Sequence, residues 1–269
     1  MQPIWDLMTN AHMEAWIWGP LMGAIVGMAF AGFNAPPSEE APVTVIQTTR
    51  IFVTTNIVVH NKQHKSTSDD SGAGAILLFS AIAMLFFIWK YVVYVEYIRY
   101  VFIVIITSVL AFSLTAAILS ILKGQFNSSS WLLYILTPIA ALATNYFLLN
   151  LATSSLDPKL PPLAAATTPL DFYVNQLSEY GRMLIFFQML GMVLVLTTTV
   201  CMAFVLIHYL ALMNQRSPSF VQPLWTWLTR VTFLFSGRGW LVLMTTLIIL
   251  AYIFIEPNYM PTWTTALGN

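Results

Sequence analysis

The sequence predicts an all-α polytopic integral membrane protein with about six transmembrane helices and a short β-strand segment in the first loop. Three observations predict it. Of 269 residues, 58% are hydrophobic and only 8% are charged. A water-soluble domain of this size buries only about three quarters of the surface its unfolded chain exposes, so much of this apolar surface would be left in water. The apolar residues also fall in continuous runs of helix-spanning length, not in the alternating stretches of about ten residues that a barrel strand uses. Finally, mean hydropathy is +0.75 with no net charge, from 11 basic and 11 acidic residues. A soluble enzyme, a secreted disulfide scaffold and a disordered chain are excluded. No basic surplus points to nucleic acid. The one cysteine, Cys201, cannot form an intrachain disulfide.

Six runs qualify as spans: Ala15–Gly32, Ala73–Tyr94, Tyr100–Leu122, Trp131–Ala152, Met183–Met213 and Trp240–Ile255. Residues 1–18 hold Asp6 and Glu14 but no basic residue, unlike the start of a signal peptide, so the first run reads as a retained span. The chain thus divides into 1–32 (N-terminal helix and first span), 33–72 (polar loop), 73–153 (spans two to four), 154–182 (polar loop and helix start) and 183–269 (spans five and six).

The link between the second and third runs, KYVVYVEYIRY at 90–100, lacks Gly, Pro, Asn and Ser. A tight reversal with Tyr91, Tyr94, Tyr97 and Tyr100 at the interface is expected. The competing reading is one continuous helix that would carry apolar residues into water.

Loop 33–72 opens on a Pro-rich stretch and ends in a polar linker. Between them, residues 43–60 are dense in Val, Ile, Thr and Phe and read as a strand. Val45, Ile51, Val53 and Ile57 form its apolar face, for pairing with another copy or a partner. In 154–182 the Pro-rich LDPKLPPLAAATTP reads as extended. Thr168, Pro169 and Asp171 then read as a helix cap, first-turn proline and first-turn acid, starting a helix that continues through Glu179 and Arg182. Residues 219–235 combine Trp225 and Trp227 with Arg230 and read as an interfacial helix.

Charge in short loops orients the chain. Arg50, Lys62, Lys65, Lys123, Arg216, Arg230 and Arg238 outnumber Lys90, Arg99, Lys159 and Arg182. The richer side is the cytoplasm, which places both termini outside, in a bacterial inner membrane.

The residues singled out are these. Gly19, Gly23, Gly27 and Ala31 repeat at four-residue spacing along one helix face. Small residues let helix backbones approach closely in lipid, where water supplies no force between helices. They predict a helix-packing or oligomerisation seam. Thr197, Thr198 and Thr199 are a candidate pore lining, helix packing being the alternative. Lys90, Glu96, Arg99 and His208 are the ionisable residues in or near spans, and no mid-membrane acid suggests a proton relay. His60 and His64 lie in a polar linker, so no metal site or cofactor is assigned. No nucleophile elbow, phosphate loop or zinc-protease motif occurs.

Two function classes follow. The first is a non-enzymatic oligomeric pore, channel or membrane-perturbing subunit, with the lipid bilayer and other copies of itself as partners. The second is a membrane anchor or sensor whose residues 34–72 recruit a cytosolic effector, for example in bacterial defence against phage.

Overall fold

The computed structural model of the protein describes residues 11–32, 70–122, 131–214, 222–235, 237 and 239–259. These are almost wholly helical, and no strand occurs among them. Among the described residues nine α-helices run in chain order: α1 Ala11–Gly32, α2 Asp70–Val93, α3 Val95–Leu122, α4 Thr137–Ser154, α5 Leu160–Ala166, α6 Pro169–Asp171, α7 Glu179–Asn214, α8 Gln222–Val231 and α9 Gly239–Ile255. Three helical stretches among the described residues are long and apolar enough to cross a membrane: Val95–Leu122, Leu132–Ser154 and Glu179–Asn214. Ile17–Ala29, Ile82–Val93 and Gly239–Ile255 are shorter apolar helices. The strand expected at 43–60, with Val45, Ile51, Val53 and Ile57, lies outside the described residues.

The bundle is built around α7, whose 36 residues reach about 54 Å at about 1.5 Å per residue. It runs antiparallel to α4 and to α9. Asn145 meets Thr198 and Thr199, and Gln188 meets Ala152. Gly191 faces Ala251 and Ile255 at one end, while Tyr209 and Trp240 flank Tyr134 at the other. α1 lies parallel to α3, its residues 19, 23 and 27 meeting 107, 108 and 115 in rising order. The core forms two clusters. One, around Ile106, Leu149 and Val195, also takes in α2 and α5; the other surrounds Tyr134, Leu142 and Met202.

At 90–100 neither sequence expectation holds as stated. The helix is interrupted at Tyr94 alone, flanked by helical bonds from Tyr94 N to Lys90 O (3.0 Å) and from Ile98 N to Tyr94 O (2.9 Å). A tight hairpin would lay α2 along α3, but the two scarcely touch. α2 packs instead on the 160–176 segment and on α7, and Trp89 Nε1 donates to Ala164 O at 2.8 Å. The absence of turn-forming residues explains the missing reversal: nothing in KYVVYVEYIRY favours leaving helical geometry for more than one residue.

Two further expectations are corrected. The Pro-rich stretch is not extended throughout, because Leu160–Ala166 is helical with its prolines in the first turn. First-turn residues have no N–H to lose to the helix ladder, so proline is tolerated there. The Thr168 cap forms, its hydroxyl accepting from Asp171 N at 3.4 Å. That helix stops at Gln176, however, and Leu177 is extended. Ser178 then begins α7, its hydroxyl accepting from Gly181 N at 3.1 Å and its carbonyl from Arg182 N at 3.0 Å.

Most of the described charge gathers at one end of the bundle, Arg230 of α8 lying apart from it. Lys90, Glu96, Arg99, Asp157, Lys159, Asp171, Glu179, Arg182 and Glu256 all sit at the end formed by the starts of α3 and α7 and the ends of α4 and α9. From Tyr100 to Leu122, Trp131 to Ser154, Met183 to Asn214 and Gly239 to Ile255 there is no Asp, Glu, Lys or Arg.

Candidate functional site

The polar residues inside this apolar bundle form the candidate site, and α7 carries more of them than any other helix. Asn145 of α4 is fully buried. Its Nδ2 donates to Thr198 Oγ1 and Thr199 Oγ1, both at 2.9 Å, and lies 3.4 Å from Val195 O. The threonine hydroxyls in turn donate to the α7 backbone, Thr198 to Leu194 O or Val195 O and Thr199 to Val195 O. Each hydroxyl therefore serves as acceptor for the amide and donor to its own helix. In an apolar medium such side-chain bonds hold helices together where hydrophobic burial does not. Asn145 Oδ1 has no partner.

One end of α7 carries a second polar group. Gln188 is fully buried, and its Nε2 donates to Ala152 O of α4. Towards the other end, buried His208 places Nδ1 2.9 Å from Thr232 Oγ1. That hydroxyl spends its only proton on Leu228 O, at 2.7 Å. The contact then requires the proton on Nδ1, and the neutral ring presents Nε2 as a bare, buried acceptor. Tyr134 stacks on Tyr209 at 5.6 Å and on Trp240 at 6.2 Å beside this ring, joining the 132–136 turn that leads into α4 to α7 and α9.

These groups do not make a path. Gln188 and Thr198 are ten positions apart, about 15 Å along a helix. Thr199 and His208 are nine apart, about 14 Å. Met192 and Val195 fill the first gap, and Met202, Val205 and Leu206 the second, all buried. A hydrogen-bond relay needs steps near 3 Å, so the arrangement consists of separate polar islands.

No family model matches this chain, and no curated protein or solved structure is significantly similar to it. The site must speak from its own geometry.

The glycine stripe of α1 lies against α3. A Cβ on Gly23 would overlap the carbonyl oxygen of Ser108, and one on Gly19 would overlap Thr107 Oγ1. At Gly27 the nearest atom would be Thr115 Cβ, at 2.7 Å. The α3 surface is prepared for this approach: Thr107 and Ser108 fold their hydroxyls back onto Ile103 O and Val104 O, at 2.7 and 2.6 Å. Ala31 falls within α1, but its side chain is outside the described part.

The threonine run divides. Thr198 and Thr199 are buried against Asn145, so they face a helix partner and not an open channel. Thr197 points outward and bonds Val193 O at 2.8 Å. Arg99 and Glu96 approach at 3.8 Å on the surface. Among the described residues no three His, Cys, Asp or Glu converge as metal ligands.

Three positions escaped the sequence reading. Asn145 and Gln188 are lone amides in apolar runs, a signal for a cross-helix hydrogen bond, though their partners cannot be read from sequence. Gly191 sits so close to α9 that a Cβ would meet Ile255 Cγ1 at 2.6 Å. It lacks the four-residue repeat that made the α1 stripe visible.

Proposed function

We propose that the protein is a non-enzymatic membrane subunit, a helical anchor that presents residues 34–72 at the membrane surface to a soluble partner. The observation that carries this reading is the sealed interior of the described bundle. Its polar groups are islands separated by buried Met and Val layers, which suits a scaffold and does not suit conduction or proton transfer through one chain.

The parallel arrangement of α1 and α3 bears on topology. Two parallel spans need the intervening chain to cross back, and Ile82–Val93 of α2 is the apolar helix between them. In this reading the return crossing falls somewhere between α1 and α3, giving six crossings in all with α1, α3, α4, α7 and α9. The richer basic loops then face the cytoplasm of a bacterial inner membrane, and both termini face outside.

A second reading is an oligomeric pore formed between copies. It is favoured by α2, where Phe79 and Phe87 are 71% and 65% exposed among the described residues. One experiment separates the two. Vesicles carrying the purified protein stay tight to ions, and immobilised residues 34–72 retain a soluble protein, if the anchor reading is right. Ion leakage proportional to protein content, with no retained partner, establishes the pore.

A further inference from the structure

Between α2, α3 and α7 lies an open cavity of about 750 Å³. Tyr91, Ile98 and Phe102 form one wall and Met192, Val193 and Leu196 the other. Its lining is almost wholly apolar, and its size falls within the range of about 300–1,000 Å³ typical of small-molecule sites. A peptide helix about 10–12 Å across would fill it in under two turns, so the shape calls for a slimmer chain.

The mouth is chemically distinct from the walls. Lys90 stands there, its Nζ 4.5 Å from the Trp89 ring centre and 5.1 Å from that of Tyr94. Among the described residues no carboxylate lies within ion-pair reach of this ammonium, because Glu96 is engaged with Arg99. Tyr94 and Tyr97, 50% and 68% exposed, flank the same opening. Tyrosine rings and a basic side chain on an apolar stem are what the boundary between hydrocarbon and headgroups selects. The charged end of the bundle lies at this level, and the groove runs from it towards residues that carry no charge at all.

We propose that this groove is a binding site for an anionic glycerophospholipid of the surrounding bilayer. One acyl chain lies between Phe102 and Met192, and the phosphate is held by Lys90. Flexible methionines line the α7 wall and adapt to a kinked or straight chain. The Lys90 ammonium, lacking a counter-charge among the described residues, takes one from the lipid. This site is independent of whether the subunit anchors a partner or forms a pore.

The test uses the full chain, delipidated in neutral detergent, and reads bound lipid by native mass spectrometry. Phosphatidylglycerol and phosphatidylcholine of identical chains are supplied in equal amounts. The expected result is about a fivefold preference for phosphatidylglycerol, the factor that one basic side chain contributes near an anionic surface. Lys90→Gln abolishes the preference and Lys90→Arg keeps it. Val193→Trp, which fills the groove, lowers retention of both lipids; Leu196→Phe repeats that test should the tryptophan variant lose its monodisperse profile. Equal retention of the two lipids by the parent chain overturns the proposal. So does an undiminished preference in Lys90→Gln, or undiminished retention in a folded groove-filling variant.

Discussion

The α1–α3 and α4–α7 seams solve the same problem by different means. Both join apolar helices in a medium where burial supplies no net attraction between them. At α1–α3 the solution is proximity: Gly23 lets the α1 backbone rest on the Ser108 carbonyl, and the hydroxyls of Thr107 and Ser108 spend their protons on their own helix. At α4–α7 the solution is a directed contact, one amide shared between two threonine hydroxyls. The first seam depends on what is missing from each side chain, and the second on what is present. They should therefore fail differently.

The largest effect is expected at Gly23. Gly23→Leu forces a side chain into backbone that cannot rotate away, and overpacking of that kind costs about 3 kcal/mol or more. Thermal unfolding in detergent should show it, with amide exchange in α1 rising ahead of the rest of the bundle. Gly27→Leu should cost less, because its nearest neighbour is the Thr115 side chain, which has freedom to turn. Equal and small losses at both positions would remove backbone contact as the basis of this seam.

The α4–α7 seam should show asymmetry instead. Thr198→Val together with Thr199→Val removes both acceptors of the Asn145 amide and leaves it buried beside a single carbonyl at 3.4 Å. Stranding a buried polar group costs about 1–3 kcal/mol. Adding Asn145→Leu to the valine pair should recover most of that loss, since the demand disappears with the amide. A strictly additive cycle would mean that the three side chains do not interact.

A third, smaller loss of about 1 kcal/mol is expected for Trp89→Phe, which deletes the hydrogen bond to Ala164 O that ties α2 to α5. The least is expected at Glu96→Gln. Its pairing with Arg99 is long and water-exposed, and exposed pairs change stability by at most about 0.5–1 kcal/mol. A drop as large as that of Trp89→Phe would show that the charged end is more tightly organised than its exposure suggests.

Legibility from sequence followed the same division. The α1 stripe could be found because its signal is local: three glycines at four-residue spacing define a face before any partner is known. The α4–α7 contact could not, because Asn145 and Thr198 are 53 positions apart and nothing near either names the other. Thr198 and Thr199 drew notice as polar residues in an apolar run, but only the register of α7 against α4 decides that they face an amide. The Thr168 cap was readable from adjacent residues, while the break at Leu177 was not, since Ser178 competes as a second cap close by. At Tyr94 the sequence offered two global alternatives. The structure took neither, because one interrupted residue separates α2 from α3 without returning it alongside.

The central claim is that hydrocarbon surrounds the uncharged stretch of this bundle. Spin labels at single cysteines in a Cys201→Ser background test it most directly, with the protein in lipid vesicles. Leu114, Ile118 and Val200 are exposed on the uncharged stretch, and Glu96 is exposed at the charged end. The account predicts that labels at the first three positions are reached by dissolved oxygen and not by a water-soluble nickel chelate, with the reverse at Glu96. Ready access of the chelate to Leu114, Ile118 and Val200 would contradict it.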